Sequence, residues 1–206
     1  MLAALVVLCV ALIIAVAYAI WQSNRRLVLE RERVIRSFVF PPGVIEQFRS
    51  AHPFVDVKGL QLVARALRQF FLVHSRAGSQ LVSMPSKAVD ALWHVFILDT
   101  KAYSLFCRQA FGAYLHHIPE QVNSTSEELE SASWVTWRLA CLEENINPSK
   151  ASRLPLLYAI DSKLGFPGAV VYDPKSFKQP PSPGGCSGGG GGGSSDGDGG
   201  GGCGGE

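Results

Sequence analysis

The chain lacks the short patterns that announce the common chemistries. It has no glycine-rich phosphate loop followed by Lys-Ser or Lys-Thr, no Gly-x-Ser-x-Gly elbow, no His-Glu-x-x-His and no pair of Cys-x-x-Cys knuckles. Each absence removes the function that depends on that spacing: phosphate cradling, an exposed serine nucleophile, helical zinc proteolysis, a four-cysteine zinc knuckle. Excess charge is scarce too. Nineteen Lys and Arg against 17 Asp and Glu leave +2 over 206 residues, too little to argue for a nucleic-acid partner. The five cysteines, Cys9, Cys107, Cys141, Cys186 and Cys203, are odd in number and widely spaced. That is unlike a secreted disulfide framework, and reduced thiols are expected.

Residues 1–21 contain no charge and no proline, and Gln22-Ser23-Asn24-Arg25-Arg26 follow at once. At about 1.5 Å per residue such a helix measures roughly 30 Å, the thickness of a bilayer's hydrocarbon core, so the run predicts a single transmembrane anchor. Ala15-Val16-Ala17 resembles a signal-peptidase site. Against cleavage stand the absence of Lys or Arg before the run, the apolar residues beyond Ala17, and the positive charges on the far side. Arg25, Arg26, Arg31, Arg33 and Arg36 place the basic cluster where the positive-inside rule acts. The expectation is a single-pass protein of the cell (inner) membrane, N-terminus outside and domain cytoplasmic, with these arginines touching anionic membrane lipid. Tyr18 and Trp21 would lie at the headgroup level.

Composition divides the chain into an anchor at 1–22, a basic juxtamembrane helix at 23–40, a helical globular domain at 41–178 and a Pro/Gly-rich tail at 179–206. The tail has almost no side chain to bury and reads as disordered. Its Asp196-Gly197-Asp198 lacks the remaining oxygen positions of an EF-hand, while Cys186 and Cys203 offer only a costly soft-metal or disulfide pairing.

The middle of the chain is all-α, with five to seven helices. Residues 27–40 form a charged helix ended by Pro41-Pro42-Gly43, and a short helix over 44–50 stops at His52-Pro53. Asp56 caps a helix whose Leu60, Val63, Ala64, Leu67, Phe70 and Phe71 recur at three- and four-residue steps. Ser86 caps the next, Asp99 or Thr100 the one ending at Gly112, and residues 123–126 followed by Glu127-Glu128 begin another that runs to about Ile146. A last helix covers 154–164 and closes at Gly165, and residues 169–172 are too few for a sheet.

The candidate chemistry lies at 90–117. Asp90 and His94 are four apart and share a helix face, an arrangement in which a carboxylate orients an imidazole or both approach a metal. Cys107 follows on the next helix, and His116-His117 come just past its end. Imidazole, thiolate and carboxylate are ligand types that zinc accepts, although the spacing matches no short zinc pattern. The plainer alternative makes Trp93, Phe96, Tyr103, Phe106, Phe111 and Tyr114 core aromatics, Cys107 a buried thiol and the histidines local hydrogen-bond partners. Cys107 attacking with His116 or His117 as base is a further possibility without a third, orienting group. Asp161 and Asp173 read as a helix-surface charge and a turn residue.

Met84-Pro85-Ser86, Val89-Asp90-x-x-Trp93-His94-x-Phe96-Ile97-Leu98, Tyr103-x-x-Phe106-Cys107, Phe111-Gly112-x-x-Leu115-His116-His117-x-Pro119 and the stretch from Arg153 to Asp161 together resemble the bacterial branch of the glycine-rich domain-containing protein family, over residues 40–172. The resemblance implies an uncharacterised helical domain joined to a Gly-rich segment, and no established activity. Plant members place a second histidine two residues after the first; here that position is Phe96, one potential ligand fewer. The functional expectation is an interaction or scaffold module with an unidentified protein partner. Its rival is a metal-dependent or thiol enzyme built on Asp90, His94, Cys107, His116 and His117, with zinc as the cofactor.

Overall fold

The structure, a computed structural model, describes residues 2–117 and 125–177, with side chains from residue 9 onward. Seven helices follow one another: α1 (Leu2–Ser37), α2 (Pro42–Ala51), α3 (Val57–Ala77), α4 (Lys87–Leu98), α5 (Thr100–Ala110), α6 (Ser126–Glu143) and α7 (Leu156–Leu164), then a 3-10 turn, Pro174–Ser176. No strand occurs among the described residues, and the all-α expectation holds for them. The tail and its Cys186 and Cys203 lie outside the described residues, as do Asn123 and Ser124.

The expected anchor is corrected. Among the described residues no helix is long and apolar enough to cross a membrane, and the single-pass inner-membrane placement falls with it. Val10, Leu12, Ile13, Ile14, Val16, Ile20 and Trp21 are exposed, since none of the described residues covers this half of the helix.

The other half of α1 is built into the domain. Ile35 is fully buried, Val34 and Phe38 pack beside it, and the core therefore begins before residue 41. Charge ties it down as well: Arg76 of α3 grips Glu32 through Nε and Nη2 at 2.8 and 2.9 Å, while Arg36 reaches Glu143 on α6.

At the centre stands α3, packed against α1, α4, α6 and α7. Asp56 caps it, accepting from the Gly59 amide at 2.7 Å, and its apolar stripe, Val63, Leu67, Phe70 and Phe71, is buried as the three- and four-residue spacing requires. Gly59 is a matter of space: a Cβ there would lie 2.7 Å from Leu164 Cδ2 of α7. Thr125 and Glu128 form a full capping box at the start of α6.

Asp161 departs from its sequence reading. It is only 2% exposed, and its carboxylate accepts from Ser86 Oγ at 2.6 Å, the Lys87 amide at 2.6 Å and the Ala88 amide at 3.1 Å. It is a buried anion on the positive end of α4, not a surface charge. Asp173 is the turn residue expected, accepting from the Lys175 amide at 2.9 Å.

Candidate functional site

With its start fixed by Asp161 and by Ser86, which accepts from the Val89 amide at 3.1 Å, α4 presents Asp90 and His94 on one face. The third group arrives from the segment after α5. Tyr103 on α5 accepts from Trp93 Nε1 at 3.1 Å and donates to the Leu115 carbonyl at 2.6 Å, which pins that segment to α4. Two residues on, His117 Nε2 lies 2.8 Å from Asp90 Oδ1, and its ring packs on Trp93 with centroids 4.5 Å apart. His94 Nδ1 is 3.4 Å from Asp90 Oδ2 and 2.9 Å from the Asp90 carbonyl, and the two imidazole centroids are 4.4 Å apart. In the Nδ1–H tautomer His94 donates to that carbonyl, which leaves the Nε2 lone pair free.

Of the five candidate ligands, Asp90, His94 and His117 converge: one ligand atom from each lies within 4.8 Å of the others. Four ligands at about 2.0–2.1 Å around a tetrahedral ion are roughly 3.3 Å apart, so this set needs only a small closure to hold one. Cys107 and His116 are outside the group. Cys107 is fully buried, and burial raises its thiol pKa, with the Leu115 backbone and the Tyr103 hydroxyl pulling the other way less strongly. A shielded, protonated thiol is the opposite of an activated nucleophile. His116 is exposed and packs on Tyr114, with ring centroids 4.9 Å apart.

The triad lines a cleft of about 550 Å³, within the ~300–1,000 Å³ range of small-molecule sites. Phe70, Trp93, Leu115, Leu129 and Val170 give it apolar surface, and Lys87, Glu128 and His116 give it polar edges. His74 also lines it, and burial lowers that imidazole's pKa below 6.5. Sequence reasoning found three of the ligand-type residues but missed the cleft, whose far wall comes from residues 80–85, 128–132 and 170–172. It missed Asp161 as well, although an acid ending the apolar run Leu156-Leu157-Tyr158-Ala159-Ile160 was a signal.

The arginine cluster is engaged by the protein's own groups. The Arg25 guanidinium sits 5.4 Å from the Trp21 ring centroid, Arg33 pairs with Glu30 at 3.1 Å, Arg36 with Glu143, and Arg31 lies where a Cβ on Gly112 would fall. Arg26 pairs with none of the described residues.

An all-helical domain with a carboxylate and two imidazoles at the lip of a cleft is thus the class that fold and geometry define. Residues 30–186 match the UCP032817-like family, and the chain belongs to it. That family is uncharacterised, and the match says nothing for the glycine-rich affiliation that the motifs resemble. No curated protein and no solved structure matches the chain.

Proposed function

We propose that the domain is a metal-dependent ligand-binding module in which Asp90, His94 and His117 hold one divalent transition ion and leave a coordination position open toward the cleft. The observation that carries this reading is the approach of three ligand atoms to within 4.8 Å of one another on the lining of a small-molecule-sized cleft. Two imidazoles and one carboxylate suit zinc, and with open positions they also suit ferrous iron. Three protein ligands plus a free site is the arrangement of a working ion rather than a purely structural one. The test is the metal content of the full chain, purified without a histidine tag and exposed to zinc or ferrous iron. Near-stoichiometric metal is expected in the wild type, in Cys107→Ala and in His116→Ala, with loss in Asp90→Ala, His94→Ala and His117→Ala. A folded wild type that takes up no metal overturns the reading.

The interaction-module reading draws on a different observation, the exposed apolar residues of α1 between Val10 and Trp21. An apolar surface of that extent marks an association site. Sedimentation velocity without detergent should find the full chain self-associated and a chain beginning at residue 25 monomeric; a monomeric full chain sinks that reading.

A further inference from the structure

We infer that the cleft takes an amphipathic organic anion, its carboxylate on the metal and beside the Lys87 ammonium and its hydrocarbon body against Phe70, Trp93, Leu115 and Leu129. The inference rests on the metal reading above and adds the class of ligand.

Charge decides the head group. A divalent ion bound by one carboxylate keeps a net positive charge, and Lys87, one turn before Asp90 on α4 and lining the same cleft, adds another. Among the described residues the Lys87 side chain is exposed and in no ion pair. The other carboxylate at the cleft, Glu128, is committed to its capping box, accepting from the Thr125 amide at 2.9 Å. Nor can the start of α4 serve as the anion site, because Asp161 already holds the Lys87 and Ala88 amides and Ser86 Oγ holds that of Val89. The head group is therefore left to the ion and the ammonium, and a carboxylate satisfies both.

Apolar area decides the rest. Phe70 and Trp93 are core residues with one side on the cleft, their rings 5.2 Å apart, and Leu115 and Leu129 continue the wall. A short hydrophilic acid would leave that surface wet, whereas a chain of several methylenes covers it, each one buried tightening binding about fourfold.

The probes are octanoate, octanol and acetate, titrated calorimetrically into the full chain after its zinc content has been measured, with a cobalt-substituted sample read by its visible bands. Octanoate should bind about tenfold or more tightly than either octanol or acetate and should shift the cobalt bands. Lys87→Gln should weaken octanoate about tenfold, leave octanol unchanged and melt like wild type. Leu129→Asn should weaken octanoate but not acetate. A metal-loaded protein that is indifferent to octanoate, or that binds octanol equally well, overturns this inference and leaves the metal site standing. A wild type that takes up no metal overturns both.

Discussion

The helical hairpin of α4 and α5 has two faces made of similar groups and put to different use. Inside, Trp93 Nε1, the Tyr103 hydroxyl and the Leu115 carbonyl form a chain in which each donor finds an acceptor, enclosed by Phe96 and Phe106 with Cys107 buried nearby. Among the described residues no buried side-chain nitrogen or oxygen lacks a hydrogen-bond partner. On the cleft face, Asp90, His94 and His117 bond to one another and stay accessible, and a carboxylate with about four acceptor positions still has capacity to spare. The difference teaches that residue type does not distinguish a ligand from a core group. On the proposed reading saturation does: inner groups are closed to a newcomer, whereas those on the rim trade one another for an ion.

Two aspartates break or sustain that contrast most directly. Asp161→Ala would strand the Ser86 hydroxyl and two amides at the head of α4, at a cost of about 3–5 kcal/mol by urea denaturation. Asp90→Asn, on the same helix but at the rim, should cost under about 0.5 kcal/mol while abolishing metal uptake. If the two lose equal stability, the division into closed and open faces is wrong.

Tyr103→Phe tests how the interior serves the rim. Losing the Trp93 and Leu115 partners should cost about 1–3 kcal/mol, and the slackened segment should lower metal affinity about 10–100-fold through His117, a residue the substitution never touches. Cys107→Ala, in the same interior, should leave metal affinity unchanged. Gly112→Ala ranks next at about 1–2 kcal/mol, because φ is +78° and the Arg31 guanidinium occupies the place of the new Cβ. Thermal melts of the two variants should keep that order.

Much of the fold was legible because helices declare themselves locally. Asp56, Ser86, Asp99 and Thr125 cap as their side chains predict, and Gly112 and Gly165 take left-handed geometry at the ends of α5 and α7. The boundary errors are small and physical. Pro42 opens α2 instead of merely ending α1, since a proline at the first helical position gives up an amide that would be unpaired anyway. The site was half legible. Asp90 and His94 share a face by spacing alone, but His117 joins them only through the Tyr103 bond to Leu115, a contact between elements that no periodicity encodes. Asp161 was misread for the same reason: its partners stand more than 70 residues away. The span in α1 was expected from composition, and among the described residues no helix is long and apolar enough for a crossing.

Acid should separate the two faces at the least energetic cost. At the rim, protons compete with the proposed ion for the imidazoles and the carboxylate, so metal should leave first as the pH falls from 7. The ion pairs that hold α1 respond later. Hydrogen bonds from Arg76 hold the Glu32 carboxyl below its ordinary 4.5 even though burial opposes them. A lowered folded pKa places its contribution above the unfolded value and removes it as pH falls through the folded one. Glu32→Gln should therefore cost under about 1 kcal/mol at pH 7, and the gap to wild type should close only below pH 4.5. His74 adds a shallow slope between these events: burial lowers its pKa, so its share of stability is complete above 6.5 and declines as pH falls from there. Metal release and denaturation followed on one sample from pH 7 to 3 should give two separated transitions. A single joint transition would mean that the rim belongs to the folded core after all.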